Sequence, residues 1–140
     1  MFQKILVAYD GSDGSKKALR AGIAVARLCD IPLHSISVEE KLPYFAATVG
    51  EIQEAKIEAD AFFKRITKEA RDEAALEGVE LITRVVPGHE VESIVTYARE
   101  GNFDLLIIGF VGHSNVFGRI MGSTSQNLAR LAPCTVMIVK

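Results

Sequence analysis

The run DLLIIG, Asp104 to Gly109, carries no polar side chain after its first residue. A stretch this short and this apolar is expected of a central parallel strand covered on both faces. Parallel neighbours require crossover connections, and the rest of the chain supplies them by alternating short β-rich runs with helical patterns. Residues 3 to 9, QKILVAY, stop at Asp10-Gly11-Ser12, a turn and helix-start signal. Ala18, Gly22, Val25 and Cys29 then recur along one helical face that ends before Pro32. A second strand follows from Leu33 to Val38. The irregular segment 39–50, with Pro43, Tyr44 and Phe45, leads to a long helix whose apolar positions include Ala59, Phe62, Phe63, Ile66 and Ala70. Tyr44 and Phe45 fit either a lid over a ligand or packing on the sheet edge; loops of this length tend to be functional or mobile.

Gly78 closes the long helix, and Val79 to Val86 reads as the third strand. Pro87-Gly88 breaks it ahead of Val91, Ile94, Val95 and Ala98 at helical spacing. After Gly109 a glycine-rich loop, Phe110 to Met121, runs into a helix starting near Ser123 with Ser-x-x-Gln, Ser123 to Gln126, as a capping box. Thr135 to Val139 is the last strand. Five strands and four helical segments predict an α/β fold: one domain over residues 1–140, an open parallel sheet with helices on both faces joined by right-handed crossovers. Periodicity leaves the strand order open. A hydrophobic fraction of 49% against 24% charged residues is enough to fill such a core.

A net charge of −2 with scattered basic residues excludes a broad nucleic-acid surface, and no apolar run is long enough to span a bilayer. The start, MFQKILVAYDGS, lacks the order of a signal peptide, so a soluble cytoplasmic protein is expected. Cys29 and Cys134 have no paired spacing and no clustered histidine, which predicts buried apolar residues with neither a disulfide nor a metal site.

The segment from Gly109 to Ser125 carries the chemistry. Gly109 would let a ligand approach the strand end, and Gly112 can adopt φ > 0 and turn successive amides inward. Gly122 and Ser123 would offer unpaired amides of a helix N-terminus, beside the hydroxyls of Ser123, Thr124 and Ser125. Together these describe a phosphate cradle, with Arg119 adding a cation. His113, next to Gly112, is a further candidate for phosphate contact. Asp10 either forms a local cap or Asx-turn, or hydrogen-bonds a ligand from the end of the first strand.

The spacing Gly109-x2-Gly112-x9-Gly122-Ser123 resembles the G-x2-G-x9-G-(S/T) signature of ATP-binding universal stress proteins. KILVAYDGS (4–12) and PCTVMIV (133–139) resemble the same family, so the likeness spans essentially the whole chain. It implies a Rossmann-like sheet of order 3-2-1-4-5 with ATP at its carboxyl edge, expected with Mg²⁺. It implies that Ala8, Tyr9 and Asp10 lie near the base, that Val38 flanks the adenine, and that Gly109, Gly112, Gly122, Ser123, Thr124 and Ser125 face ribose and phosphates. It also implies a homodimer through the last strand, which, if it lies on the sheet edge, exposes unpaired backbone.

No catalytic base or metal-holding acid is evident, so slow or absent hydrolysis in a regulatory binding module is expected. The alternatives are a weak ATPase recruiting Asp10 or His113, or a nucleotide-free interaction protein of the same fold. A phosphoacceptor response regulator would need an acceptor Asp at the end of strand three, where the chain has Arg84 to Gly88. A flavodoxin would need its phosphate loop at the acidic Asp10-Gly11-Ser12-Asp13.

Overall fold

A computed structural model describes residues 1–40, 48–111 and 120–140. The elements follow in strict alternation: β1 (Ile5–Ala8), α1 (Asp13–Cys29), β2 (Leu33–Glu39), α2 (Val49–Leu76), β3 (Leu81–Pro87), α3 (Glu90–Glu100), β4 (Leu105–Gly109), α4 (Ser123–Leu131) and β5 (Thr135–Val139). The five strands form one sheet of order β3-β2-β1-β4-β5, and every pairing is parallel. The α/β class and the order 3-2-1-4-5 are therefore as expected.

The pleat sorts the strand side chains between two cores. Ile5, Val7 and Tyr9, with Leu105 and Ile107, face α1 and α2 and join Leu19, Ile23, Ile66 and Ala70 in one buried cluster. Leu6, Leu106 and Ile108 face the other way and join Ile94 and Ala98 of α3 and Leu128 of α4. β1 and β4 pair from Ile5↔Leu105 to Val7↔Ile107, and their side chains there are fully buried. That explains why the 105–108 run reads as apolar on both faces.

Two helices depart from their expected faces. In α1 the buried residues are Gly14, Ser15, Ala18, Leu19, Gly22, Ile23 and Ala26, whereas Val25 and Cys29 are half-buried. The stripe is wider than the one read from spacing and rotated toward Leu19 and Ile23. α2 has 28 residues, about 42 Å at 1.5 Å per residue, and only Ile66, Thr67, Ala70 and Ala74 are buried. A seven-residue strand such as β2 covers only about 23 Å. The first turns of α2 overhang the sheet, which leaves Ala59, Phe62 and Phe63 half-buried. The cysteines are half-buried rather than buried: Cys29 packs on the first cluster and Cys134 on the second, and both are free. The sheet lies between them.

The amino edge is tied by side chains. The Asp104 carboxylate accepts from the Gln3 amide at 2.8 Å and the Lys4 amide at 3.0 Å, and Lys4 Nζ donates to the Gly101 carbonyl at 2.7 Å. His34 stands edge-on to Phe103, ring centroids 5.1 Å apart. Burial, and then the nearby Lys4 charge, lower the His34 pKa, with Glu80 opposing. The unfolded chain therefore takes up this proton more readily, so stability is complete above the ordinary value of about 6.5 and declines as pH falls through it. A lower urea midpoint is expected at about pH 5.5 than at about pH 7.5. His34→Gln should shrink that difference; an identical difference in the variant would remove His34 as its source.

Candidate functional site

At the carboxyl edge, β1 hands the chain on to β2 at one side, while its other neighbour is β4. Such a reversal opens a crevice beyond the strand ends. Here the crevice has a volume of about 190 Å³ and is bounded by Ala8, Tyr9 and Asp10 after β1, Ile108, Gly109 and Val111 at β4, and Gly122 to Ser125 and Leu128 of α4. Ser12, Ser15 and Glu90 complete its walls.

The wall from Asp10 to Ser15 is held by its own hydrogen bonds. Asp10 Oδ1 accepts from the Ser12 amide at 2.9 Å, the Asx-turn reading of this residue. Ser12 caps α1 by accepting from the Ser15 amide at 3.2 Å, and Ser15 Oγ donates to the Ser12 carbonyl at 3.0 Å. Gly11 is left-handed at φ 81°, and a Cβ there would lie 3.2 Å from Ile66 Cγ2. This loop is thus a rigid boundary of the crevice, and Asp10 lines it while serving the turn.

The opposite wall differs from its sequence reading in three ways. A Cβ on Gly109 would meet the Gly14 carbonyl oxygen at 2.7 Å, so the first turn of α1 already requires a glycine at this position of the crevice wall. The N-cap of α4 is Gly122, not Ser123, and Gly122 gives no side-chain cap. The capping box does not form, because Ser123 is already helical, and Gln126 Nε2 instead donates to the Met121 carbonyl at 3.1 Å. The Gly122 amide is also engaged, donating to the Phe110 carbonyl at 3.0 Å. The donors left at the crevice are the first-turn amides of Ser123, Thr124 and Ser125, which have no carbonyl one turn behind them.

Charge distinguishes α4 from the other helices that begin at this edge. α1 has Asp13 in its first turn and the Ser12 cap, and α3 has Glu90 and Glu92. α4 has no acid in its first turn and no capping side chain. α2, which starts at the same edge, has the Thr48 cap and Glu51, so the N-terminal partial positive charge of α4 is the least compensated of the four, favouring an anion by about 0.3 to 2 kcal/mol. Ser125 Oγ donates to the Gly109 carbonyl at 2.7 Å, which fastens α4 to the end of β4 and commits that proton. The hydroxyls of Ser123 and Thr124 remain beside the amides.

The expected residues separate into three groups. Ala8, Tyr9, Asp10, Gly109, Gly122, Ser123, Thr124 and Ser125 meet around the crevice. Tyr9 is 4% exposed and its side chain belongs to the α1–α2 core; burial and then the Glu73, Glu69 and Asp10 carboxylates raise its phenol pKa, so it stays neutral. Val38 pairs with Val86 and packs on the α3–α4 core without lining the crevice. Gly112, His113, Arg119, Tyr44 and Phe45 lie outside the described residues. Ser12, Ser15, Glu90 and Val111 line the crevice without having been singled out in the sequence. Pro87-Gly88 before a helical pattern was the available signal for Glu90. Among the described residues no three His, Cys, Asp or Glu side chains group to hold a metal ion. Nor is any helix among them long and apolar enough to cross a membrane.

Comparison with known proteins gives a consistent outcome. The profile described as "Universal stress protein family" matches residues 1–140. The chain is 30% identical to universal stress protein YxiE of Bacillus subtilis over 148 aligned positions, covering all of both chains. It is 32% identical to a universal stress protein of Thermus aquaticus, again over all of both. Among solved structures, a universal stress protein in complex with cAMP is 31% identical, with a TM-score of 0.69 over 99% of this chain and 97% of that one. Universal stress protein UspA from Lactobacillus plantarum shares the fold at a TM-score of 0.85, with 22% identity over 99% and 97%.

Proposed function

The chain belongs to the universal stress protein family, and from that premise we propose that it is an adenine-nucleotide-binding regulatory module whose ligand is ATP. The observation that carries this reading is the uncapped, acid-free N-terminus of α4 at the β1–β4 switch point. Support comes from the relative of 31% identity whose structure is a complex with cAMP.

In this reading the amides of Ser123, Thr124 and Ser125 and the hydroxyls of Ser123 and Thr124 receive the phosphates. Ala8, Tyr9 and Asp10 border the base and ribose, and Val38 stands one strand further out. Gly112 and His113 complete the phosphate side. One helix dipole is far short of the roughly 8 kcal/mol that micromolar affinity needs, so the charge-assisted bonds, at about 1.5 to 3 kcal/mol each, supply most of the binding. Mg²⁺ accompanies the triphosphate, held by phosphate oxygens and water. Hydrolysis is slow or absent, since the Asp10 carboxylate is already engaged by the Ser12 amide. The protein is one cytoplasmic domain, and it pairs with a second copy through β5, which terminates the sheet and has Ile138 38% exposed.

Mass analysis of small molecules released from freshly purified protein is expected to yield an adenine nucleotide. Titration of the emptied protein with ATP and Mg²⁺ should restore it. Gly122→Val adds a branched side chain to the wall at a backbone conformation (φ −62°, ψ 152°) that valine accepts. It should weaken ATP at least about tenfold, or about 1.4 kcal/mol, with an unchanged circular dichroism spectrum. Unaltered affinity in a folded variant would remove the cradle from the reading.

A further inference from the structure

On the sheet face away from α3 and α4, α1 and α2 lie side by side and are laced together. Arg20 Nε meets Glu73 Oε1 at 3.2 Å, and Arg27 Nη1 meets Glu77 Oε2 at 3.1 Å. Over these pairs the surface forms a depression of about 890 Å³ lined by Ile23, Ala24 and Leu28 with the four charged side chains. Leu28 is 81% exposed, and Leu76, next to Glu77, is 87% exposed. Scattered exposed leucines are ordinary; a leucine in a depression rimmed by charges is the pattern of a contact surface.

The rim is divided by sign. Its α1 side carries only arginine and its α2 side only glutamate. Both helices run antiparallel to the parallel strands they connect, so they are parallel to each other, with the two ion pairs at successive levels along them. We propose that this face is a contact between two copies of the chain, related by a two-fold axis running along the depression. That rotation lays α1 of each copy over α2 of the other at the same level. Arg20 and Arg27 then meet the partner's Glu73 and Glu77, and the Leu28 side chains leave water. A two-fold axis across the depression would set arginine on arginine and glutamate on glutamate. The division of charge therefore selects one isologous arrangement. Exposed side chains, 64% and 67% for the arginines and 38% and 54% for the glutamates, leave all four free to turn outward. The apolar floor provides attraction, and the ion pairs fix orientation.

Particle mass of the full chain by analytical ultracentrifugation tests this. Arg20→Glu with Arg27→Glu makes the whole rim acidic, and Glu73→Arg with Glu77→Arg makes it basic. Each variant alone is expected at half the wild-type mass or less, and an equimolar mixture should return to the wild-type value. Ala24→Arg leaves both intrachain pairs intact at an exposed position of the lining, and it should also bring the mass to half or less. One mass shared by wild type and all variants, or a mixture that stays at the variant mass, would overturn the proposal. Each variant is expected to be lighter than wild type whether or not β5 pairs; the factor is two where the helix face is the sole contact, and larger where both contacts combine into an open array. Failure at β5 would instead appear in the absolute mass of every sample alike.

Discussion

Valine in place of Gly14 is expected to lower the unfolding free energy by about 2 to 3 kcal/mol and to abolish nucleotide binding. Any Cβ at Gly14 would drive into the Val111 carbonyl oxygen, while the Gly14 carbonyl itself lies 2.7 Å from where a Cβ of Gly109 would be. The first turn of α1 and the end of β4 thus touch backbone to backbone, and neither surface is a flexible side-chain tip that can swing away. Valine gains a few tenths of a kcal/mol in helix propensity over glycine, well under the overpacking cost. Val111 is also a wall of the crevice, so the displacement reaches the ligand. Urea denaturation measures the first effect and calorimetric titration with ATP the second. A variant with wild-type values for both would mean that the helix and strand end are not in contact.

The second large effect is expected from Ile107→Ala, which should cost about 3 to 4 kcal/mol. Ile107 is fully buried in β4, paired with Val7 on one side and Met137 on the other. Its Cδ1 lies 3.5 Å from where a Cβ on Gly22 of α1 would be, and that position is also only 3.2 Å from Leu33 Cδ2. Strand on both sides and helix above leave little room for collapse, so most of the removed volume would persist as a cavity. Against a total stability of about 5 to 15 kcal/mol, the variant should melt about 10 °C or more below wild type. A loss under about 1 kcal/mol would show that the site relaxes around the gap.

These effects mark where sequence reading succeeds and where it stops. Strands β4 and β5 were legible because their runs are apolar and bounded by turn residues, and β5 is found at Thr135–Val139 as expected. Strand order was not in the periodicity; it came with the family signature, since neighbours in a sheet are chosen by contacts between distant segments. The packing reason for Gly109 is invisible locally, because its neighbour in the fold, Gly14, is remote in sequence and carries no motif of its own. Ser123 and Gln126 had the spacing of a capping box, yet the Phe110 carbonyl takes the Gly122 amide and starts the helix one residue sooner than that motif requires. Glu90 has no local signal for its place in the crevice wall, because nothing local says that α3 starts beside α1 and α4. In each case the local pattern was right about residue type, and a long-range contact decided its role.

The lashing of Gln3 and Lys4 to Asp104, set against the bond from the Phe110 amide to the Val139 carbonyl at 2.8 Å, has a practical corollary. Polypeptide fused ahead of Met1, itself 96% exposed, would depart from the pole remote from the crevice. Polypeptide fused behind Lys140, whose ammonium sits 5.3 Å from the Phe110 ring centroid, would emerge beside its mouth. Purification tags and fluorescent reporters belong at the leading end, and a sensor meant to feel ligand arrival belongs at the trailing one.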